Sequence, residues 1–241
     1  MTMVDLSKIA NKEEFAKLFD YNILGRKEAT TAELYSALET MKKYKFACFM
    51  TGAAMVPIVA EELKDLDCEI GTVIDFPFGY SDTKTKIQAT QNAVKLGATS
   101  VDMVFNIGVL REHRYDYCLN ELKEHVKAAE GAVTKPILEV AFLTDDEIKA
   151  GCDIIVEAGA TFAKTSTGQS KGPSLEQILV IKKAVEGTNV KVKAGVVFPK
   201  PQNSVAFFKA GCDRIGCFEA PMVVDLFDTM REIDIIPPYA G

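Results

Sequence analysis

The feature that most constrains the fold is a repeated alternation of short β-rich runs with longer amphipathic stretches. The β-rich runs begin at Tyr21, Lys45, Glu69, Ser100, Pro136, Phe162, Lys191 and Arg214. Successive starts lie roughly 23 to 36 residues apart, which is the length of one strand followed by one helix. Eight such units are the number that closes a parallel barrel. The pattern therefore predicts the α/β class and a single (β/α)8 TIM barrel with a short N-terminal helix.

A doubly wound open sheet is the alternative arrangement for alternating strands and helices. The chain lacks the G-x-G-x-x-G turn of a dinucleotide site after any predicted strand, and it also lacks a P-loop. Its 241 residues match the ~250 residues of one barrel. With no linker or low-complexity tract in between, residues 1–241 are predicted to form one domain.

Capping residues mark where the predicted helices begin and end. Thr31, Asp82 and Ser174 precede amphipathic stretches, where side-chain oxygens cap helix N-termini. Gly97, Gly159 and Gly187 follow such stretches and are typical of helix C-termini. The helices are therefore expected to end just before the next strand starts.

Charge and composition exclude several classes of partner and cofactor. The formal net charge of −6 argues against nucleic acid, whose phosphates attract basic surfaces. The chain shows neither an apolar signal-peptide core nor a membrane-length apolar run, so a cytoplasmic protein is expected. Its six cysteines are scattered, which predicts reduced and mostly buried thiols. His113 and His125 are predicted to lie on a solvent-facing helix, and neither a metal site nor a cofactor is expected.

Four predicted strands carry a charged residue where a barrel strand should be apolar on both faces. A charge on the outer face would press against apolar helices, which is costly unless it is paired. Placement in the barrel lumen, near its catalytic mouth, is the less costly alternative. The four residues are Asp102, Glu139, Lys164 and Lys193.

Lys164 and Lys193 come from neighbouring predicted strands, so their ammonium groups are expected to lie close together. Like charges in a poorly solvated cavity lower the proton affinity of each, and a neutral amine is a nucleophile for carbonyls. Asp102 is then a candidate proton carrier. A purely structural ion-pair network that includes Glu139 remains the alternative. On pattern alone, Lys135 and Lys191 are predicted to be exposed strand starts.

Taken together, these motifs resemble the deoxyribose-phosphate aldolase family. The resemblance rests on FDYNILGRKEATTAEL, TVIDFPFGYSDTKTK, VDMVFNIG, ILEVAFLTDDEI, AKTSTG, KVKAG and FKAGCDRIG, which occur in the family's order. It implies a βα barrel and a class I aldolase that uses no metal or cofactor. The expected substrates are small aldehydes or sugars, with an acetaldehyde-like donor. A homo-oligomer is compatible with the sequence, which leaves the oligomeric state open.

The resemblance also assigns roles to individual residues. Lys164 corresponds to the Schiff-base lysine, Lys193 to the second lysine and Asp102 to the proton-relay aspartate. The supporting residues that it implies are Lys135, Asp20 and Cys48, to which the charged strand residue Glu139 is added. Candidate substrate-binding residues are Thr165 and Gly168 within AKTSTG, Lys171 in the loop after it, and Val196, Phe218 and Glu219 after the last two predicted strands.

The phosphate-binding half of the family pattern is altered in this chain. Where the family has a glycine pair and an arginine, Val196, Val197 and Pro199 stand here. A serine pair after the last strand is replaced by Phe218 and Glu219. Bulky side chains block backbone access to an anion, and Glu219 adds negative charge.

Three hypotheses follow from this mixture of matching and altered motifs. The first is an aldolase whose acceptor is not the usual phosphorylated aldehyde. A second is an ordinary 2-deoxyribose-5-phosphate aldolase with altered phosphate contacts, for which Lys171 and Lys200 are candidates. The third is a catalytically silent barrel that binds or regulates a partner, although retention of Lys164, Lys193 and Asp102 argues against it.

Overall fold

Eight short strands form the centre of the molecule. The structure is a computed structural model that describes residues 4–25, 28–196 and 200–241. The strands are β1 (Phe19–Asn22), β2 (Cys48–Thr51), β3 (Glu69–Ile74), β4 (Ser100–Met103), β5 (Val133–Thr134), β6 (Phe162–Lys164), β7 (Lys191–Gly195) and β8 (Arg214–Cys217).

Helices connect the strands and cover the outside of the sheet. In chain order they are α1 (Lys12–Ala16), α2 (Thr31–Tyr44), α3 (Val56–Glu62), α4 (Thr83–Lys95), α5 (Ile107–Arg111), α6 (Tyr115–Ala128), α7 (Asp145–Glu157), α8 (Leu175–Ala184), α9 (Pro201–Ala210), α10 (Ala220–Asp225) and α11 (Phe227–Glu232). Short 3-10 turns span Leu6–Lys8, Ala53–Met55 and Val140–Phe142.

The sheet is parallel and runs in the order β5-β4-β3-β2-β1-β8-β7-β6. Residues after β5 bring the two ends together, because Ile137 forms parallel bridges with both Val104 and Lys164. The Leu138 N–H donates to the Lys164 carbonyl at 3.0 Å, and the Lys164 N–H donates to the Pro136 carbonyl at 2.9 Å. The predicted (β/α)8 barrel with a short N-terminal helix is confirmed.

The predicted helix ends agree closely with the structure. Asp82 and Ser174 cap α4 and α8 by accepting hydrogen bonds from backbone N–H groups, as predicted. At α2 the cap is Thr30 rather than Thr31, because Thr30 and Glu33 form a reciprocal capping box. Gly97, Gly159 and Gly187 all adopt positive φ just beyond their helices.

The fifth predicted strand is wrong in its extent. Regular pairing with β4 covers only Val133 and Thr134, and the following segment pairs through single bridges. Glu139 adopts φ 53°, which turns the chain out of the strand and into the Val140–Phe142 turn. A left-handed residue other than glycine carries no clear sequence signal, so the apolar run PILEVAF from Pro136 predicts a continuous strand.

One of the two histidines does not face solvent. His125 is fully buried on α6 and its Nδ1 lies 2.9 Å from the Thr90 hydroxyl on α4. Burial lowers the pKa of His125 to about 3, with a further contribution from Lys86. His113 is exposed, as predicted. The charged sequence of α6 also packs against α4 through Lys86 and Glu121, whose Nζ and Oε1 lie 2.8 Å apart.

Burial agrees with the predicted use of cysteine, since five of the six thiols are buried and Cys68 is partly buried. None of the helices in the described ranges combines the length and apolar character needed to cross a membrane.

Candidate active site

Strand register places the two predicted lysines side by side. Lys164 is the partner of Lys193 in the pairing of β6 with β7. Both ammonium nitrogens lie on the same carboxylate oxygen of Asp102 on β4, at 2.7 Å from Lys164 and 2.8 Å from Lys193. All three side chains are buried. The predicted juxtaposition of Lys164, Lys193 and Asp102 in the barrel lumen is therefore present in the structure.

Two glycines leave the space that the lysine side chains cross. A Cβ at Gly195 would lie 2.0 Å from the Ser166 carbonyl oxygen and 3.4 Å from Lys164 Cε. At Gly216 it would lie 3.0 Å from Lys193 Cε. At Gly195 the clash is with backbone and excludes a side chain unless the chain shifts, whereas at Gly216 the end of the Lys193 side chain would have to move slightly. Glycine at both positions therefore leaves room for the two lysine side chains.

Burial is the main reason that the neutral amine of Lys164 is favoured. Burial lowers the pKa of Lys164, Asp102 opposes that effect, and the charge of Lys193 adds to it, which together place the pKa at about 8. Burial alone would raise the pKa of Asp102, but Lys164 and Lys193 outweigh it and hold that pKa below its ordinary value. The site therefore combines a titratable buried amine with a carboxylate that stays ionised.

A second layer of charge lies behind the lysine pair and is organised by Asp20 of β1. Asp20 is fully buried and contacts Lys193 at 2.6 Å, Lys135 at 3.1 Å and Arg214 at 3.2 Å. Although burial opposes it, this cationic surrounding lowers the pKa of Asp20. Lys193 thus bridges the two aspartates, which fixes its position next to Lys164.

Lys135 is buried, so the pattern-based expectation of an exposed strand start was wrong for this residue. It pairs with both Asp20 and Glu69, while Arg214 lies 2.6 Å from the other oxygen of Glu69. The pKa of Lys135 is raised, because these carboxylates outweigh the effect of burial. The family resemblance, which includes Lys135 among the supporting residues, agrees with its position.

Asp20, Cys48 and Glu69 bring three possible metal-ligand atoms within 4.8 Å of one another. Both carboxylates already face Lys135 and Arg214, which supply the positive charge that a metal would otherwise bring. Burial raises the pKa of the Cys48 thiol well above its ordinary range, which disfavours the thiolate form that metals bind. These donors therefore fit an ion-pair network better than a metal site.

Lys164 lines a cavity of about 470 Å³ at the mouth of the barrel. That volume falls within the usual range for small-molecule sites. Its lining residues are Asn22, Leu24, Gly25, Met50, Lys164, Thr167, Gly168, Gln169, Lys193, Gly195, Val196, Gly216, Phe218 and Glu219.

Four of the six predicted substrate-binding residues line this cavity: Gly168, Val196, Phe218 and Glu219. Thr165 does not, because it follows Lys164 directly and alternation turns it to the other face, where its hydroxyl accepts the Gly195 N–H at 3.1 Å. Lys171 is exposed and is not part of the lining. The predicted contributions of Val197 and Pro199 lie outside the described residues.

Glu139 is buried but does not join the lysine cluster. Its carboxylate accepts hydrogen bonds from the Thr167 N–H at 3.1 Å and the Ser170 hydroxyl at 3.4 Å. The predicted ion-pair network is therefore wrong in placing Glu139 together with the two lysines. Glu139 instead holds the loop that follows Lys164, and that loop contributes Thr167, Gly168 and Gln169 to the cavity wall.

Glu69 and Arg214 are the site residues that sequence reasoning missed. Each stands at the first position of a strand, where a charged residue ordinarily marks an exposed end. Alternation along the strand offers a signal for Arg214, because it lies on the same strand face as Gly216, two residues further on. The cavity-lining residues Asn22 and Gln169 carried no comparable signal.

The comparisons with known proteins agree with this geometry. Residues 2–205 match the family model described as DeoC/LacD family aldolase. The chain belongs to this aldolase family, and it is accordingly a lyase that acts on carbon–carbon bonds.

Its relatives include proteins named deoxyribose-phosphate aldolase. The protein from Dictyoglomus turgidum is 36% identical over 215 residues, which cover 89% of this chain and 98% of that protein. A Bacillus mycoides protein of the same name is 37% identical over 210 residues, covering 87% and 94% of the two chains.

Solved structures confirm the barrel. A putative deoxyribose-phosphate aldolase from Coccidioides immitis superposes with a TM-score of 0.86 at 28% identity, covering 93% of this chain and 87% of that chain. The deoxyribose phosphate aldolase of Aeropyrum pernix, described as a tetramer, gives 0.85 at 25% identity and covers 94% and 98%.

Proposed function

We propose that this chain is a Schiff-base aldolase in which Lys164 attacks the carbonyl of an acetaldehyde-like donor. The observation that carries the proposal is a buried lysine that lines a cavity and whose amine shares one oxygen of Asp102 with Lys193. Because the pKa of this amine is lowered to about 8, a useful fraction is neutral near neutral pH. A neutral amine at that position is the nucleophile that carbonyl addition requires.

The steps balance without any further reagent. Lys164 adds to the donor carbonyl, and the resulting carbinolamine loses water to give an iminium ion. Removal of one α-proton gives an enamine, whose carbon attacks the acceptor aldehyde to form the new carbon–carbon bond. The acceptor oxygen takes up a proton to become a hydroxyl, and water then hydrolyses the iminium and releases Lys164.

Two neighbouring groups support these steps. Lys193 contributes a positive charge that lowers the pKa of Lys164, and Asp20 and Asp102 hold it in place. Asp102 has a second oxygen, Oδ1, that is buried and lacks a hydrogen-bond partner among the described residues. We assign Asp102 the movement of protons to and from the donor through a water molecule.

We further propose that the acceptor is not the usual phosphorylated aldehyde. Phosphate sites need close backbone N–H groups and positive charge, whereas Val196, Phe218 and Glu219 line this cavity. Lys171, a candidate phosphate partner, is exposed and lies outside the lining. An ionised Glu219 would repel a phosphate by ~1 kcal/mol or more at close range.

Borohydride trapping tests the Schiff base. The protein is incubated with acetaldehyde and sodium borohydride, and the reduced adduct is mapped by mass spectrometry. We expect modification of Lys164. Reduction onto Lys193, or the absence of any adduct, would contradict the assignment, and the latter result would favour a silent barrel.

Substrate comparison tests the acceptor. We expect kcat/KM for cleavage of 2-deoxyribose 5-phosphate to show no advantage over unphosphorylated 2-deoxyribose. Glycine at Val196 and Val197 together with serine at Phe218 and Glu219 should shift the preference toward the phosphate ester. A strong preference of the unmodified protein for the phosphate ester would return it to the activity for which its relatives are named.

The tetramer described for the Aeropyrum pernix aldolase leads us to propose that this chain also forms a homo-oligomer. Size-exclusion chromatography with light scattering measures this directly. A mass of one chain at micromolar concentration would contradict it.

A further inference from the structure

The cavity carries opposite electrostatic character at its two sides. Among the described residues that line it, Lys164 and Lys193 are cationic, and both contact Asp102. The wall that follows β8 carries Phe218 and Glu219 instead. We refer to this pair as the Phe218–Glu219 wall.

Within the part of the chain that the structure describes, Glu219 forms no ion pair. Its Oε2 atom is buried and finds no hydrogen-bond partner within the described ranges of the chain. Partial burial raises the pKa of its carboxyl group, which is the expected response of a carboxylate that has lost water without gaining a partner. A cation bound in the cavity beside this carboxylate would supply the missing positive charge and keep the carboxylate ionised.

Phe218 adds a second feature that favours a cation. Its ring stacks on Tyr21, with centroids 5.9 Å apart and an angle of 25° between the planes, which fixes its orientation. More than a third of the residue remains exposed, at 38%, and it lines the cavity. Aromatic faces attract ammonium and guanidinium groups, and quaternary ammonium ions are recognised by aromatic rings together with carboxylates.

We propose that the Phe218–Glu219 wall is a subsite for an organic cation and that the acceptor aldehyde carries an ammonium or quaternary ammonium group. The inference rests on the proposed function for the aldehyde end of the substrate. It deepens that function because it replaces the family's anionic acceptor with a cationic one. The acceptor's carbonyl then points toward Lys164 while its charged end lies against Glu219.

Two aldehydes of the same shape, of which only one is positively charged, test whether the acceptor's charge matters. Betaine aldehyde and 3,3-dimethylbutanal share the same shape and differ in a positively charged nitrogen against a neutral carbon. With acetaldehyde as donor, we expect kcat/KM for betaine aldehyde to exceed that for its neutral isostere by about tenfold or more. Glyceraldehyde 3-phosphate serves as the anionic comparison and should be the poorest acceptor.

Two variants assign this preference to the wall. Glu219→Gln keeps the shape of the side chain and removes its charge, so the preference for betaine aldehyde should fall to near one. Phe218→Leu keeps apolar volume and removes the aromatic face, so the preference should fall partway. Glu186→Gln is the matched control, because it removes the same charge from an exposed position between α8 and β7.

Direct binding measurements test the cation subsite without requiring the aldol reaction. Choline and 3,3-dimethylbutan-1-ol form a second isosteric pair that cannot react with an amine. By calorimetry, choline should bind the unmodified protein about tenfold more tightly than the neutral alcohol, and the Glu219→Gln variant should lose that difference. Circular dichroism confirms that each variant is folded.

The possible outcomes separate the two proposals. If acetaldehyde gives no borohydride adduct but choline binding depends on Glu219, the proposed function is wrong and the cation subsite stands. If the adduct forms on Lys164 and both isosteric pairs behave alike, the subsite is wrong and the aldolase proposal stands. Equal binding of choline and the neutral alcohol to the unmodified protein overturns the inference.

Discussion

The pKa of the buried Lys164 amine is set by burial and by two charged neighbours, the cation Lys193 and the anion Asp102. Burial and Lys193 lower its pKa, and Asp102 raises it. Since one oxygen of Asp102 contacts both lysines, removal of either neighbour changes the balance in a known direction. The pH dependence of imine formation therefore reports on each neighbour separately.

Replacement of Lys193 by leucine should raise the pKa of Lys164, because it removes a positive charge and leaves Asp102 to act on Lys164 alone. Less neutral amine is then present at pH 7, so imine formation slows. Raising the pH should recover part of the loss. The measurement is the rate of borohydride-trapped adduct formation with acetaldehyde between pH 6 and pH 10, over which the unmodified protein titrates near pH 8.

Lys191→Leu is the matched control for this variant, because Lys191 lies two residues earlier on β7 and is only partly buried. Its pH–rate profile should keep the midpoint of the unmodified protein. An unchanged midpoint in Lys193→Leu would show that the two buried lysines are not electrostatically coupled.

Replacement of Asp102 by asparagine should separate imine formation from proton transfer. Asp102 raises the pKa of Lys164, so its loss increases the fraction of neutral amine and leaves carbonyl addition possible. Exchange of the donor α-protons should nevertheless be lost, because an amide cannot accept and return a proton as a carboxylate does. Incorporation of deuterium into acetaldehyde in deuterated water measures this exchange. Exchange at the unmodified rate would reduce Asp102 to a structural partner of the lysines.

The sequence revealed those residues whose charge interrupts an apolar strand. Asp102, Lys164 and Lys193 stand in strand interiors, so alternation and the cost of burying charge were enough to place them in the lumen. Glu69 and Arg214 escaped notice because the first residue of a strand is ordinarily exposed. Their contacts depend on how β3 and β8 face each other across the closed barrel. The spacing of residues along the sequence does not reveal that arrangement.

At the scale of elements, the least predictable segment is the connection from β5 to α7. Its apolar run continues through Val140, but Glu139 turns the backbone into the left-handed region. The turn directs the Glu139 carboxylate to the Thr167 N–H and the Ser170 hydroxyl. Two loops of the catalytic face are thereby joined by a residue that periodicity assigned to a strand.

Replacement of Glu139 by alanine should loosen the loop after β6. The Thr167 N–H loses a charged acceptor, which costs about 1–3 kcal/mol of unfolding free energy. Acceptor KM should rise, because Thr167, Gly168 and Gln169 form part of the cavity wall. Borohydride trapping of acetaldehyde on Lys164 should persist, since Glu139 does not contact the lysines. Urea unfolding and acceptor kinetics measure both effects.

Glu157→Ala is the control, since Glu157 forms an exposed ion pair with Lys123 at 2.7 Å and such pairs contribute little. If Glu139→Ala matched this control in both stability and KM, Glu139 would have no role in holding the loop.

Across the whole molecule, the barrel interior joins charges from seven strands or their ends. The carboxylates are Asp20, Glu69 and Asp102, and the cations are Lys135, Lys193, Arg214 and Lys164. With Lys164 protonated this cluster carries one excess positive charge, and with Lys164 neutral its charges cancel. A buried cluster favours the balanced state, which gives a whole-molecule reason for the lowered pKa of Lys164.

This balance predicts a specific dependence of stability on pH. Lys164 has a pKa of about 8 in the folded protein against 10.5 ordinarily. Between these values the unfolded chain holds the proton and the folded chain has released it, so the unfolded state binds more protons. Stability from this group therefore rises with pH across that window, by up to ~1.4 kcal/mol per pH unit and ~3 kcal/mol in all.

Lys164→Met removes this titration and allows it to be measured as a difference. The unfolding free energy of the unmodified protein minus that of the variant should increase by a few kcal/mol from pH 8 to pH 10.5, and it should stay level between pH 6 and pH 7. Lys183→Met, which removes an exposed lysine of α8, should give a level difference throughout. Urea titrations at each pH supply the values. A level difference for Lys164→Met as well would mean that the barrel does not disfavour the charged amine. The nucleophile would then depend on the bound substrate, rather than on the folded protein, to lose its proton.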